Sequence, residues 1–532
     1  MESVGRPPAA GTMALECRMK KRFFALLAAL AVLLGGCAPV DLSDQQQVDI
    51  TGQLQEPAPS GTEPEEPAAS VGDEVRVAYD PSDTLNPYTM TSQLNRQLVP
   101  LLYDSLTRPD KTWRPENQLA REITQTDGRQ YVVKLRGDAL FWDGTRLDGK
   151  DVIYSFTTAI ASDSNWKQML QNVSGCSVNG DGDVVFRLYS ADADFPALLS
   201  FPIVKEGTAG ENFPVGVSKY YVSGTWRQGV ILEQNPLYWQ EAGDIKRVLL
   251  VGVSDPGALG FSLRTGDVDL VYSDLSDPEL SNLSAQSAPV SLNNLVYVGI
   301  NGSRGLLAEP AFRQALSLAV NRDELVQKAY ISRARATMYP LNPDFYRMEP
   351  IELSAPRDLT GAGELLDGLG LRQKDDDGWR LRYGAPVTLR LLVNSENAAR
   401  NAAAALIAEQ LARLGIRVEV VSQSFSQYQS SLAGYNYDLY IGETRLMDNM
   451  DFSLLLNGGA LGYAAPYSEY LSDLARAYRA SGTGVEALCE AFSVQTPFIP
   501  LVFRQGAVSF ERAFQAEILA TEQDIFYNIM EW

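Results

Sequence analysis

The most informative part of the chain is LAREITQTDGRQYVVKLRGDALFWDGTRLDGKDV, residues 119–152. Within it, residues 131–135 alternate apolar and polar side chains as a half-buried strand does, and Gly137 follows. The segment 148–151 then opens an amphipathic run over residues 152–161, which predicts a helix. A strand followed by a helix is the unit from which mixed α/β domains are built.

Strand-like segments recur on both sides of this stretch. Residues 74–79 alternate polar and apolar side chains, and residues 184–188, 229–234 and 246–253 predict further strands. No internal repeat at solenoid periods is present.

The second half of the chain is more plainly α/β. Pro310 suits the first position of a helix, and the apolar residues that follow it at helical spacing are Phe312, Ala315, Leu316 and Ala319. Asn321 can cap the next helix, with Glu324 three residues on, as in a capping box. Residues 401–414 predict an Ala-rich helix that ends before an alternating strand at residues 416–420.

The composition excludes several classes of function. The 532 residues include 45 Lys and Arg, 66 Asp and Glu and no histidine, for a formal net charge of -21. Without histidine there is no Ser-His-Asp or Cys-His catalytic system, no HExxH zinc site and no His-ligated haem or copper. The acidic balance argues against nucleic acid, whose phosphates require a basic face.

At this length we expect two or three domains.

Local motifs for chemistry are also missing. The sequence contains no Walker A motif, no dinucleotide fingerprint and no GxSxG. Residues 375–378 (DDDG) lack the alternating ligands of a calcium loop and predict a solvated turn. Paired carboxylates acting as a glycoside hydrolase are the remaining enzymatic alternative. We therefore predict no catalytic residues, no metal site and no cofactor.

The N-terminus resembles a bacterial lipoprotein signal. Lys20, Lys21 and Arg22 precede a 12-residue apolar run, residues 23–34, which is too short to span a bilayer as a helix. It ends in Leu-Gly-Gly before Cys37, like the lipobox whose cysteine is acylated and becomes the mature N-terminus. A start at Met19 would give a compact signal, which leads to the hypothesis that residues 1–18 are not translated.

Residues 38–72 predict a disordered linker. They are rich in Pro, Glu, Ser and Ala and poor in aromatic residues, so they cannot bury enough apolar surface to offset chain ordering. Removal of residues 1–36 takes away five bases and two acids and changes the net charge to -24. We expect a body that is tethered to the membrane and does not lie on it.

Two cysteines remain in the predicted body. Cys176 and Cys489 could form a disulfide in an oxidising compartment or stay as separate thiols. Their positions in different presumed lobes favour free thiols.

Several segments together resemble family 5 of the extracellular solute-binding proteins of bacterial ABC importers, the dipeptide- and oligopeptide-binding group. Residues 119–152 follow the signature "LAE…YTFKLR…FHDGTPLTAEDV", with Trp142 in place of the usual histidine. The other matching segments are Leu85-Asn86-Pro87, Leu102 to Leu106, Arg264 to Asp269, Phe312 to Leu316 and Asn321 to Leu325. Residues 216–220 and 450–452 depart from the family pattern, which leaves the ligand open.

The resemblance implies an α/β, two-lobed periplasmic-binding-protein fold (type II, cluster C-like) with an extra N-terminal subdomain. The implied division is a signal peptide (1–36), lipidated Cys37 with a disordered linker (37–72), the first part of lobe I (73–105), the extra subdomain of lobe I (106–213), the second part of lobe I (214–298), lobe II (299–499) and a lobe I return segment (500–532). Closure of the lobes by hinge motion buries the ligand.

The resemblance also implies the binding residues. In peptide-binding members an extended peptide pairs its backbone with both lobes, and an acidic residue of lobe II binds its α-amine. By motif position that residue is Asp448, with Asp451 as the alternative. The implied pairing residues are Thr89, Met90, Thr91 and Ser92 in lobe I and Arg445, Leu446 and Met447 in lobe II. Arg445 is also a candidate for a ligand carboxylate, and Trp142 and Trp226 are expected to be packing residues.

The resulting expectation is a monomeric, lipid-anchored receptor on the extracytoplasmic face of the bacterial membrane. It would capture a peptide and deliver it to ABC permease and ATPase subunits, without binding nucleic acid. The alternatives are a sugar or metal-chelate ligand, a surface lipoprotein that senses a peptide, and a carboxylate-based surface hydrolase.

Overall fold

A computed structural model describes residues 71–274, 286–353 and 357–532, all of which belong to one compact unit. The predicted signal peptide, Cys37 and the linker up to residue 70 lie outside the described residues. Among the residues described, no helix is long and apolar enough to cross a membrane.

The described chain is mixed α/β. Its strands are β1 (Glu74–Tyr79), β2 (Thr107–Pro109), β3 (Pro115–Asn117), β4 (Ala120–Asp127), β5 (Gln130–Leu135), β6 (Val173–Val178), β7 (Val184–Leu188), β8 (Tyr220–Trp226), β9 (Gly229–Gln234), β10 (Arg247–Gly252), β11 (Leu270–Ser273), β12 (Gln286–Ile300), β13 (Ala334–Ala336), β14 (Leu381–Arg382), β15 (Ala385–Pro386), β16 (Thr388–Asn394), β17 (Arg417–Gln423), β18 (Leu439–Arg445) and β19 (Phe498–Phe510). Its helices are α1 (Gln93–Gln97), α2 (Val99–Leu102), α3 (Gly149–Ala161), α4 (Asn165–Met169), α5 (Leu259–Thr265), α6 (Pro310–Ala319), α7 (Arg322–Lys328), α8 (Leu359–Gly368), α9 (Ala398–Arg413), α10 (Phe425–Ala433), α11 (Glu469–Ser481) and α12 (Val485–Gln495). The predicted strands and helices are confirmed, with bounds that shift by at most three residues.

The largest sheet has the strand order β17-β16-β18-β12-β19-β11-β1-β10-β9-β8, and β13 pairs with β19. Strand β1 runs parallel to β10 and β11, and β16 runs parallel to β17 and β18. A separate antiparallel sheet, β4-β5-β7-β6, carries α3 against β6 and β7. This second sheet contains the strand predicted at residues 131–135, and the helix predicted at residues 152–161 packs on it.

The buried apolar side chains form separate cores. The largest core takes its residues from 71–292 and 508–532, and we call this part lobe I. Two further cores take theirs from 295–503, here called lobe II, and one of these two also includes Trp113 from lobe I. Each lobe therefore buries apolar surface of its own, which is the main stabilising contribution to a folded domain.

Strands β12 and β19 run through both lobes as one antiparallel ribbon. Residues 286–291 pair with 510–505, residues 295–299 pair with 503–498, and the register shifts between Ser291 and Leu295. The sequence-based lobe boundaries at 298/299 and 499/500 fall inside these two strands. A continuous strand gives no turn signal where it passes from one core to the other, so the sequence could not place the crossing more closely.

Buried ionic contacts join lobe I to lobe II. Asp194 accepts hydrogen bonds from the Tyr346 hydroxyl at 2.5 Å and from Arg347 Nη2 at 2.7 Å. Asp192 accepts one from Arg479 Nη2 at 3.2 Å. Both carboxylates are buried. Each is paired with an arginine of lobe II, as buried charges need to be.

Two of the helix starts show how local sequence sets the bounds. Asp148 accepts from the Lys150 amide at 2.7 Å, and Asp151 accepts from the Asp148 amide at 3.0 Å, which is a complete capping box for α3. At α7 only half of the predicted box forms, because Asn321 accepts from the Glu324 amide at 3.2 Å while the Glu324 side chain accepts from Gln410 Nε2.

Cys176 and Cys489 are free thiols that pack in different lobes, as expected. Burial raises the pKa of each thiol to about 12. Both therefore remain protonated and unreactive near neutral pH.

Candidate functional site

A cavity of about 240 Å³ lies where the end of β18 approaches lobe I and the C-terminal return segment. Lobe II contributes Arg445 and Asp448 to its wall, and the return segment contributes Glu522 and Gln523. Lobe I supplies apolar side chains that include Met90, Val99, Trp166 and Met169. A concave site with apolar walls and a few charged groups is typical of ligand pockets.

The loop that carries Asp448 is held by backbone hydrogen bonds. Strand β18 ends three residues before it. The Leu446 amide donates to the Asn293 carbonyl of β12 at 2.9 Å, and the Met450 amide donates to the Met447 carbonyl at 2.8 Å. The position of Asp448 is therefore set by the β12–β18 pairing of the sheet.

The Asp448 carboxylate is fully buried, with its side chain 0% exposed. Its Oδ1 accepts from Arg445 Nη2 at 3.0 Å and from Gln523 Nε2 at 2.8 Å. Its Oδ2 is buried and accepts no hydrogen bond from the described residues. An open acceptor on a buried carboxylate that lines a cavity is a place for a ligand donor.

Burial raises the pKa of Asp448 to about 6, although the Arg445 charge opposes this rise. The nearby Glu522 carboxylate adds to the rise, and the Gln523 amide opposes it. The group is therefore mostly ionised at pH 7 and mostly neutral at pH 5.

Arg445 already bridges two carboxylates. Its Nε lies 2.6 Å from Glu522 Oε1, and its Nη2 contacts Asp448. Glu522 Oε2 in turn accepts from the Asn293 amide at 3.0 Å. With all three side chains ionised the cluster has a net charge of -1. Contact of Arg445 with a ligand carboxylate stays a prediction, and the internal pairs give Arg445 a positioning role for Asp448.

The lobe I segment predicted to pair with a ligand, residues 89–92, uses its amides within the fold. The first two donate to the Asn86 carbonyl at 3.2 and 3.0 Å. The last two donate to Asp83 Oδ2 at 2.7 and 2.6 Å. The Ser92 carbonyl accepts from the Arg96 amide at 3.1 Å, so the carbonyls of residues 89–91 are the groups that could accept from a ligand backbone.

Asp451, the alternative to Asp448, lies elsewhere. It forms an ion pair with Arg479 Nη1 at 2.5 Å and accepts from the Ser453 amide at 3.0 Å. It lines a different cavity, next to Asp192 and Asp194. The structure therefore separates the two candidates, and only Asp448 shares a cavity with Arg445 and Met90.

The lobe I wall of the cavity contains a charged group that the sequence did not indicate. Lys219 is buried, donates to the Pro100 carbonyl at 3.2 Å and lies 3.7 Å from Asp524. Arg108 lies 3.5 Å from the same Asp524 oxygen. Asp104 accepts from the Trp239 indole at 3.0 Å, and burial raises its pKa. Two features of the sequence could have drawn attention to these residues. Asp104 lies in a segment that matches the family pattern, residues 102–106, and Lys219 lies in a segment that departs from it, residues 216–220.

The remaining sequence-based expectations concern packing and metals. Trp142 contacts the Tyr103 ring at a centroid distance of 6.5 Å, and the Trp226 indole donates to the Leu250 carbonyl at 3.3 Å. Neither residue lines the cavity. Asp375 accepts from the amides of Asp377 and Trp379, so residues 375–378 form a turn. Within the described ranges no group of three Cys, Asp or Glu residues is placed to hold a metal ion.

Comparison with known proteins gives a consistent picture. A sequence model of the bacterial extracellular solute-binding proteins, family 5 (middle region), matches residues 114–458. The oligopeptide-binding protein AppA of Bacillus subtilis is 24% identical over 454 residues, covering 79% of this chain and 80% of AppA.

Two solved structures share the fold. The unliganded open form of MppA, a periplasmic murein tripeptide-binding protein, superposes with a TM-score of 0.71 at 16% identity, covering 84% of this chain and 95% of MppA. A nickel ABC transporter protein from Bacillus halodurans also gives a TM-score of 0.71, at 19% identity, covering 85% of this chain and 98% of its own. These likenesses establish the two-lobed architecture with its extra N-terminal region, and they include both peptide and nickel proteins.

Proposed function

The chain belongs to the bacterial extracellular solute-binding proteins of family 5, and on that premise we propose that it captures a peptide in the cavity at Asp448 and delivers it to the permease of an ABC importer. The family's members are solute-binding transport proteins. We propose that this chain performs no chemistry itself and that partner ATPase subunits hydrolyse the ATP.

The observation that carries the proposal is the buried, half-satisfied carboxylate of Asp448. Oδ1 has two donors from the protein, and Oδ2 has none among the described residues. A buried charge without a full set of partners costs free energy, and an incoming ammonium group offsets that cost. The α-amine of a peptide supplies a cation with three donors.

The charged groups of the cavity support a peptide over a neutral sugar. The lining contains both acidic side chains, such as Asp448 and Glu522, and basic ones, such as Arg108 and Lys219, and a free peptide has an ionised group at each end whereas a neutral sugar has none. A metal chelate remains the second candidate, since a nickel protein shares the fold, although this chain has no imidazole to coordinate the metal.

Mass spectrometry of ligand carried through gentle purification tests the proposal directly. A bound peptide is the expected result. A bound oligosaccharide or metal chelate would contradict the peptide assignment while leaving the import role open. Permease and ATPase genes beside this one would favour import, and a neighbouring sensor kinase gene would favour peptide sensing.

Peptide affinity is expected to fall at mildly acidic pH. An ammonium ligand needs the ionised form of Asp448, whose pKa is raised to about 6, so protonation competes with binding. The association constant should fall roughly tenfold from pH 7 to pH 5. Binding of the peptide should also release protons from Asp448 to the buffer. Titration calorimetry in buffers of different ionisation enthalpy measures both quantities. A flat profile over this range would exclude Asp448 as the ammonium partner.

We also propose that Cys37 carries a lipid that holds the protein at the membrane. The basic cluster, the short apolar run and the Leu-Gly-Gly-Cys sequence support this assignment. Changing Cys37 to alanine is expected to prevent acylation and move the protein from the membrane fraction to the soluble fraction. Metabolic labelling with an alkyne fatty acid followed by fractionation measures both effects, and a Cys17→Ala variant is the control that should stay labelled.

A further inference from the structure

We propose that Glu522 is the residue that makes the site select a cationic ligand group over a neutral or anionic one. The inference rests on the proposed function and deepens it, because it concerns which end of a peptide the cavity accepts. Glu522 lies in the C-terminal return segment, 74 positions beyond Asp448 in the chain, and it lines the same cavity.

Glu522 is fixed in place by two strong contacts. Its Oε1 lies 2.6 Å from Arg445 Nε, and its Oε2 accepts from the Asn293 amide at 3.0 Å. Its side chain is only 11% exposed. Asn293 belongs to β12, so displacement of Glu522 would break its pair with Arg445 and leave the Asn293 amide without its acceptor. Glu522 is therefore a permanent part of the wall.

Charge balance gives Glu522 its effect. Asp448 and Glu522 share one guanidinium, so the three side chains have a net charge of -1 when ionised. A ligand ammonium brings this cluster to neutrality, whereas a carboxylate would raise its net charge to -2. In a buried site such differences are poorly screened and decide between ligands.

Without the Glu522 charge the same site would have a different preference. Arg445 and Asp448 alone would form a neutral pair, with less attraction for an ammonium group. A glutamine at position 522 has one acceptor oxygen instead of two, so it could accept from Arg445 Nε or from the Asn293 amide but not from both. Gln523 is uncharged and holds Asp448 Oδ1 in either case. Selection for a free amine therefore depends on Glu522 as well as on Asp448.

Calorimetric titration of the full chain with trialanine and N-acetyl-trialanine tests this inference. The wild-type protein is expected to prefer trialanine, and Glu522→Gln should reduce the preference ratio at least tenfold. Glu443→Gln is the matched control, because Glu443 is similarly buried and paired with arginines but does not line the cavity. It should keep the wild-type ratio. A ratio within twofold of wild type in Glu522→Gln would overturn the inference.

A double variant separates charge from packing. Glu522→Gln with Arg445→Met removes one charge of each sign and returns the cluster to -1 through Asp448 alone. The preference for trialanine should then rise at least threefold above that of Glu522→Gln, short of full recovery because Arg445 no longer positions Asp448, and the absence of any rise in a folded double variant would overturn the inference. This variant also serves where the single variant does not fold, because it leaves no arginine without its carboxylate. If the wild-type protein binds neither peptide, both the proposed function and this inference are overturned. If the wild-type protein prefers trialanine and Glu522→Gln shows the same preference ratio, only the inference is overturned.

Discussion

Replacement of Asp448 by asparagine is expected to weaken the binding of a free tripeptide by about 100-fold or more. The substitution keeps the size of the side chain and removes the charge that would pair with the α-amine. Breaking a buried ion pair by removing one partner costs about 3–5 kcal/mol, and each 1.4 kcal/mol corresponds to a factor of about ten in affinity. Calorimetry or a fluorescence titration that uses the protein's own tryptophans measures the loss.

The same titration with an N-acetylated peptide shows whether the charge pair is responsible. The acetylated peptide has no ammonium group, so its weaker binding should change little in Asp448→Asn. Asp451→Asn is the matched control, since that carboxylate pairs with Arg479 in another cavity. Equal losses for the free and acetylated peptides would remove Asp448 from the proposed role.

Replacement of Arg347 by leucine is expected to lower the free energy of unfolding by about 3–5 kcal/mol. The change leaves Asp194 buried without its guanidinium, although Tyr346 still donates to it. It also removes the hydrogen bond from Arg347 Nη1 to the Gly482 carbonyl, at 2.6 Å. Urea unfolding followed by circular dichroism measures the change.

A surface arginine provides the comparison for this stability prediction. Arg476 pairs with Asp473, and the two side chains are 76% and 59% exposed. Its replacement by leucine should change the free energy of unfolding by less than about 1 kcal/mol. Adding Asp194→Asn to Arg347→Leu should restore part of the lost stability, because the buried charge is then absent. If the two arginine substitutions lower the free energy of unfolding by equal amounts, the buried Arg347–Asp194 pair stabilises the fold no more than a surface pair does.

The secondary structure was predictable from the sequence because its patterns are local. The strands at 74–79, 184–188 and 229–234 have the predicted bounds, since apolar alternation marks each one by itself. The helix predicted over residues 152–161 begins three residues earlier, at Gly149, because Asp148 caps it. The half-formed cap at α7 could not be predicted, because Glu324 accepts a hydrogen bond from Gln410, which lies in α9 and is distant in the sequence.

The candidate site was predictable only in part. Asp448 was identified by its position in a family motif, and nothing in the local sequence indicates that it is fully buried. Burial raises the pKa of Asp448 and the Glu522 charge adds to the rise, whereas the Gln523 amide opposes it. Both of these residues are more than 70 positions away in the chain and reach Asp448 only through the tertiary fold. Lys219 and Asp524, which line the same cavity, likewise meet only through the tertiary fold. Sequence patterns report neighbours along the chain, whereas a pocket is made of neighbours in space.

The ribbon formed by β12 and β19 has a mechanical consequence. Both strands pass from one lobe to the other side by side, 15 and 13 residues long, and their pairing shifts register twice near the crossing, between Ser291 and Leu295 and between Val296 and Tyr297. A pair of hydrogen-bonded strands resists stretching and yields most easily to torsion. Any change in the angle between the lobes is therefore expected to twist the ribbon elastically. Part of the free energy of ligand binding would then be stored as twist in the two strands and released when the ligand dissociates.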